Sequence, residues 1–387
     1  MAYDDSLSFL HYAPTRVVFG VGALSEAGLE LDRLGVSRAV IVTDAVIAEK
    51  TDLVAKLKGS LGARCAGVYS GAVPDSGLHI VDAGAAYARD AGADSLVSLG
   101  GGSAIDTAKG MAVVLTEGGS LIDHQGFQNL TRRQTPHVSV PTTHGTGSEV
   151  TRYAVIKDHE ERHKLLFGDF HLIPDVAILD PVLTVGMPPV IAAGTTLDAL
   201  THAIEGAHSL QRNPIADALA IHAVRLIRRW LPRAMSAPKD LAARGQLLLA
   251  STMAGTAFDN AQVGLVHAIA HSVGARHGVH HGLANSIALP HVIRFNAPDA
   301  ANVYAELARA AGVTTSASDE EATDALAVDV AAVAKAAGLP SRYRDVGVPE
   351  SDLEAIAELT ITDGSIVYNP RMAMDPALVL EVLRAAW

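Results

Sequence analysis

Ahead of Asp180-Pro181 short β-rich runs alternate with helical periods; behind it only helical periods follow. Few architectures accept that change of pattern. In the first half, strands are expected at Arg16–Phe19, Ala39–Thr43, Ala66–Tyr69, Ser95–Leu99 and His137–Val140. Helices are expected at Val46–Lys58, Gly77–Asp90 and Ser103–Leu115, the last with Ser103 as its N-cap. Shorter strands follow around Ile156, Leu166 and Ile178. Repeated βα units imply a parallel sheet with helices on both faces. In the second half, Val190–His208, Pro214–Trp230, Ala242–Asp259, Val263–Val273, Ala300–Ala311, Ala322–Ala337 and Ser351–Leu359 carry the helical period. The expectation is an α/β domain over residues 1–184 and an all-helical domain over 185–387.

Composition agrees with buried layers. Hydrophobic residues make up 49% of the 387 residues and aromatics only 4%, so Ala, Val, Leu and Ile must build the core. A net charge of −12 without a basic block argues against nucleic acid or an anionic membrane surface as partner. The single cysteine, Cys65, excludes an internal disulfide and fits a reducing cytoplasm. The start, MAYDDSLSFLHYAP, lacks the basic and apolar regions of a signal peptide, and no run is apolar enough to span a bilayer.

Gly100-Gly101-Gly102-Ser103 stands where a strand passes into a helix. Glycines there permit close backbone approach, and a helix N-terminus favours a phosphate. Ile105 occupies the third glycine position of the Rossmann fingerprint, and the Gly-Lys-Ser/Thr ending of a Walker loop is missing. A plain tight turn is the alternative. Thr142-Thr143-His144-Gly145-Thr146-Gly147-Ser148 forms a second hydroxyl-rich loop after a strand. Loops at strand C-termini are where open α/β sheets bind nucleotides. Asp44, also at a strand end, can accept from a ribose diol and would repel a 2′-phosphate, which favours NAD over NADP; its alternative role is a helix N-cap.

Five of the 17 histidines fall in Val266–Gly282: His267, His271, His277, His280 and His281. His267 and His271, four apart, share one helix face. Gly274 and Gly278 are expected to break that helix and turn the chain back, bringing His281 toward His267. Upstream, Asp198 and His202 share a face of the amphipathic stretch TTLDALTHAIEGAHS. One carboxylate with two or three imidazoles suits Zn2+ or Fe2+, not Ca2+ or Mg2+. A surface ion pair and a polar loop are the alternatives for each half taken alone.

These motifs resemble the iron-containing (group III) alcohol dehydrogenase family over nearly the whole chain. GGGSAIDTAK at Gly100–Lys109 and PTTHGTGSEVT at Pro141–Thr151 are similar to its nucleotide motifs. LDALTHAIE at Leu197–Glu205, GLVHAIAHSVG at Gly264–Gly274 and HGLAN at His281–Asn285 are similar to its metal signature. The resemblance implies an N-terminal α/β dinucleotide-binding domain with a parallel sheet and an all-helical C-terminal metal-binding domain, with the site in the cleft between. It implies a divalent metal held by Asp198, His202, His267 and His281, Fe2+ foremost and Zn2+ as the alternative. His271 would lie beside the substrate and relay a proton. Asp44 would take the adenosine ribose, and Gly100, Gly101, Gly102 and Ser103 the pyrophosphate. Thr142, Thr143, Thr151, Tyr153 and Lys164 would line the NAD cleft. A homodimer is what the family suggests. Three features depart from its pattern: His144 at a usually small position, Ser272 for a common proline, and a polar Ala275–His280. Arg276, His277 and His280 could then face an acidic or highly hydroxylated substrate, or form a solvated loop.

The expectation is an NAD-dependent, metal-assisted dehydrogenase of a small alcohol or the matching aldehyde. Two other classes stand beside it. A dehydroquinate synthase-like lyase would need a basic pocket and a Glu-type first ligand where Asp198 stands. A non-catalytic binding protein would need only one of the two sites.

Overall fold

The computed structural model describes residues 7–74, 76–158 and 163–387. Residues 1–6, on which part of the N-terminal reading rests, lie outside the described residues. The chain divides into two compact units, Ala13–Gly186 and Met187–Trp387, the second joined by the N-terminal residues up to Tyr12. The sequence reading gave those first residues to the α/β domain. They go with the helices because Asn260 accepts from the Tyr12 amide at 2.7 Å and donates to the Tyr12 carbonyl at 3.2 Å.

The first unit holds strands β1 (Arg16–Phe19), β2 (Ala39–Asp44), β3 (Cys65–Ala72), β4 (Ser95–Gly100), β5 (Gly126–Phe127), β6 (His137–Pro141), β7 (Tyr153–Asp158), β8 (His163–Gly168) and β9 (Val176–Leu179). Its helices are α1 (Ala27–Leu34), α2 (Ala45–Lys50), α3 (Leu53–Leu61), α4 (Leu78–Asp90) and α5 (Gly102–Glu117). Six strands form a sheet in the order β1-β9-β6-β4-β2-β3, parallel throughout. β5, β8 and β7 form a separate small sheet. The central strands are buried along nearly their whole length and largely apolar, as strands covered on both faces must be. From β2 the chain goes outward to β3, then crosses to the other side for β4. That reversal opens a crevice at the C-terminal ends of β2 and β4, the ligand position of open α/β sheets.

Two helix expectations change here. Val46–Lys58 is two helices, interrupted at Thr51-Asp52. Ser103 is not the N-cap of α5: the helix begins at Gly102 with Gly101 as cap, because the glycine run already takes up the turn.

The second unit is helical: α6 (Pro189–His208), α7 (Pro214–Ser236), α8 (Leu241–Asp259), α9 (Leu265–His277), α10 (His281–Ala310), α11 (Asp319–Ala336), α12 (Leu353–Thr360) and α13 (Pro376–Ala386). α6 is its axis, packed by α7, α8 and α10, and every residue from Ala192 to His208 is buried. The expected Ala300–Ala311 is only the last part of α10, which runs 30 residues through Pro290 and Pro298. Burial of its apolar face outweighs the cost of two prolines. No helix among the described residues is long and apolar enough to cross a membrane.

Candidate metal and nucleotide sites

The metal candidates meet in the second unit. Asp198 and His202 lie one turn apart on α6, and His267 lies in the first turn of α9. Gly274 does not break α9, which continues to His277; only Gly278, at φ 66°, turns the chain. His281 therefore does not sit on a returning loop but is the first residue of α10. A side chain on its neighbour Gly282 would run into the Gly194 carbonyl oxygen, so glycine lets α10 approach α6 closely enough to deliver His281.

Asp198, His267 and His281 each bring a donor atom within 4.8 Å of the others. Three imidazole Nε2 atoms face one carboxylate oxygen: from Asp198 Oδ1, His281 stands at 3.5 Å, His267 at 3.7 Å and His202 at 3.9 Å. Tetrahedral donors around one Zn2+-sized ion stand about 3.4 Å apart, so the spacing fits a shared cation. The His202 ring stacks on His267, centroids 4.7 Å apart, and on Phe258 at 4.2 Å. Asn285, one turn beyond His281, donates to Asp198 Oδ1 at 2.7 Å.

Electrostatics favour a dication. Asp198 and Glu205 are both buried on α6, and among the described residues their ion pairs are with imidazoles. Burial raises the Asp198 carboxyl, but His202, His281 and His267 outweigh it and hold it far below the carboxylate range. Burial lowers the His267 imidazolium, and Glu205 and Asp198 together push it up to about 9. Such a site attracts positive charge; two carboxylates and neutral imidazoles balance one divalent ion.

His271 stands one turn from His267. Its Nδ1 lies 2.7 Å from Asp363 Oδ2, and its ring stacks on His281 at 5.3 Å. The side chain keeps 32% of its surface exposed. Arg276 and His277 both bind the Asp352 carboxylate, His277 through Nε2 at 2.6 Å and Arg276 through Nε at 2.6 Å, while the Arg276 side chain stays exposed. His280 is exposed and caps α10 by position. Ser272 turns its hydroxyl back to the Ala268 carbonyl within α9, and His144 is buried.

The nucleotide candidates gather at the C-terminal ends of three adjacent strands of the first unit: Asp44 after β2, Gly100–Ser103 after β4, and Thr142 and Thr143 after β6. No side-chain hydrogen bond caps the N-terminus of α5. The Thr142 amide donates to the Gly100 carbonyl at 2.9 Å, tying the two loops together. A Cβ on Gly101 would stand 3.2 Å from Thr143 Cγ2, and one on Gly102 2.9 Å from Thr146 Cγ2, so these glycines also serve loop packing. Asp44 Oδ1 caps α2 by accepting from Ile47 N at 2.9 Å, so the cap uses one of its two carboxylate oxygens. Thr151 and Tyr153 are anchored by Lys109, a fully buried side chain whose Nζ donates to their carbonyls at 2.8 and 2.7 Å. Lys164 lies on β8 and is exposed.

Sequence reasoning passed over Glu205, Asp363, Asn285 and Lys109. Lys109, Glu205 and Asn285 stood inside the quoted motifs, and Glu205 follows Asp198 by seven residues, two turns along one face. Asp363 lies 92 residues from His271 and had no local signal.

The fold and the donor set define a class: a parallel α/β unit with glycine- and hydroxyl-rich loops at its strand ends, and a helical unit with a carboxylate–imidazole cluster. Residues 14–181 match the model of the iron-containing alcohol dehydrogenase family, and residues 192–387 match that of the Fe-containing alcohol dehydrogenase family, C-terminal. The chain is 38% identical to NAD-dependent methanol dehydrogenase of Bacillus methanolicus, over 94% of this chain and 96% of that one. It is 37% identical to lactaldehyde reductase of Escherichia coli (strain K12), over 95% and 97%. A solved 1,3-propanediol oxidoreductase superposes with a TM-score of 0.95 at 35% identity, covering 98% of this chain and all of that one. The chain belongs to the iron-containing alcohol dehydrogenase family, and is a metal-dependent oxidoreductase.

Proposed function

We propose that the protein oxidises a small, uncharged primary or secondary alcohol or diol with NAD, or reduces the matching aldehyde with NADH. The observation that carries this is the convergence of three imidazole Nε2 atoms on Asp198 Oδ1. Asp198, His202, His267 and His281 hold the ion, with Fe2+ as its identity in the cell on the family's description. When bound, the divalent ion would supply Lewis acidity and the nicotinamide would supply hydride-transfer capacity. His271, its Nδ1 engaged by Asp363, takes the hydroxyl proton at Nε2 and passes it to solvent through its exposed edge. The first helical turn of α5 receives the pyrophosphate at Gly100–Ser103, and Asp44 Oδ2 receives the ribose. Thr142, Thr143, Thr151, Tyr153 and Lys164 line the nucleotide's path.

Asp352 pairs with Arg276 and with the His277 ring, which offsets the positive charge that an acidic substrate would need. Methanol, 1,3-propanediol and lactaldehyde, which name three relatives, have the neutral character proposed here. A homodimer in the cytoplasm completes the proposal, in keeping with the lone Cys65 and the net charge of −12. The test is a screen of metal-loaded protein against simple alcohols, diols and hydroxy acids with NAD and NADP, read as NADH or NADPH absorbance. Turnover of neutral alcohols with NAD is expected; turnover confined to hydroxy acids, or to NADP, overturns the substrate or the cofactor assignment.

A further inference from the structure

Glu205 is fully buried two helical turns beyond Asp198 on α6, yet it lies outside the ligand set. Its two oxygens have separate partners on α9. Oε1 accepts from the Val266 amide at 2.7 Å, and Oε2 lies 2.5 Å from His267 Nδ1. α9 needs that acceptor. Its N-cap is Gly264, with no side chain to satisfy the amides of the first turn, and a carboxylate there also meets the positive end of the helix dipole. The glycine makes the approach possible, since a Cβ on it would stand 3.3 Å from Glu205 Oε1 and 3.1 Å from Asn369 Oδ1.

A metal-binding imidazole can use only one nitrogen for the ion; the other must carry a proton and needs an acceptor. We propose that Glu205 is a positioning residue of the metal centre: its carboxylate clamps the first turn of α9 to α6 and presents His267 Nε2 to the ion beside Asp198. One helix then supplies both a direct ligand, Asp198, and the support of a ligand from another helix. A glutamine at this position has the same size but one acceptor for two donors, so either the Val266 amide or the His267 Nδ1–H would face an NH2 group.

The test compares wild type with Glu205→Gln for Zn2+ and Co2+ affinity by chelator competition, with the Co2+ visible spectrum as a reporter of ligand geometry. Glu205→Gln is expected to weaken binding about 10- to 100-fold and to shift the Co2+ bands. Affinity and spectrum like those of wild type overturn the proposal, even with a lowered Tm, because that pattern marks a purely structural role. If Glu205→Gln fails to fold, Glu205→Asp, which keeps the charge but withdraws it, is read by the same criteria. A further measurement needs no variant: in zinc-loaded wild type the His267 Nδ1–H is expected to be exchange-protected by NMR, and rapid exchange overturns the proposal. The inference rests on the metal-centre reading. Wild type that binds neither ion sinks that reading, whereas equal binding by wild type and Glu205→Gln sinks only the role of Glu205.

Discussion

Asp363 Oδ2 lies 2.7 Å from His271 Nδ1, across 92 residues of sequence. The other oxygen, Oδ1, accepts from the Ser365 amide at 2.8 Å, so the carboxylate is fixed before it meets the ring. Burial raises the Asp363 carboxyl, and His271 outweighs this and draws it well below the carboxylate range. Neighbouring imidazoles on one face of α9 are thus held by carboxylates from different elements, His267 by Glu205 and His271 by Asp363. This arrangement underlies the proposal that the first binds the metal and the second transfers a proton.

Asp363→Ala is therefore expected to keep its metal and lose turnover, by about 100-fold, the lower end of what a positioned proton-transfer group contributes. Asp363→Asn retains one acceptor and should fall between Asp363→Ala and wild type. Elemental analysis beside kcat checks this. Loss of metal in step with loss of rate would make Asp363 a support of the ligand set instead.

Asp44 is expected to set cofactor choice even though it also caps α2. Asp44→Asn keeps an acceptor for Ile47 N and removes the charge. It should move the ratio of kcat/KM values toward NADP by a like-charge contact's worth, on the order of 1–3 kcal/mol. Asp44→Ala should do the same and lose about 1 kcal/mol of stability as well, through the missing cap. An unmoved ratio in both variants would leave Asp44 as a cap alone.

The helical half and the βα half were legible because periodicity records burial, and α6 and β2 are buried along nearly their whole length. The pairing of His267 with His271 was legible from spacing. The place of His281 was half legible. Its return to the site was expected, but Gly274 looked like a break, whereas α9 tolerates it and ends only at Gly278. Contacts such as Asp352 to Arg276 and Asp363 to His271 span 76 and 92 residues and leave no local pattern, so the sequence left Ala275–His280 open between a substrate-facing segment and a solvated loop and gave no sign of its tie to Asp352.

Gly101→Val is expected to raise the KM for NAD on the order of tenfold, about 1.4 kcal/mol of binding, with metal content intact. The branched side chain would enter the phosphate cradle and press on Thr143, whose Cγ2 stands 3.2 Å from where a Cβ would lie. Equal loss of NAD binding and metal would signal general misfolding.

Acid should loosen the first unit through His137. Its Nε2 is 2.7 Å from Ser98 Oγ inside the sheet, and burial, with Lys109 nearby, holds its pKa at about 3 against an ordinary 6.5. A lowered folded-state value means the unfolded chain binds the proton first. Stability is then full above pH 6.5 and falls as pH drops from there toward 3, by about 2 kcal/mol at pH 5 from this group. Thermal unfolding from pH 7 to pH 5 checks the slope, and His137→Gln should flatten it. A slope unchanged by that substitution would assign the acid sensitivity to other groups.

Elemental analysis of His267→Ala and His271→Ala after dialysis tests the assignment of Asp198, His202, His267 and His281 as the ligand set most directly. The two imidazoles stand one turn apart on α9, their centroids 6.0 Å from each other. His267→Ala should come out metal-free and inactive, while His271→Ala should retain its metal and lose about 100- to 10,000-fold in rate. A metal-free His271→Ala beside a metal-replete His267→Ala would contradict the assignment and exchange the roles of the two histidines.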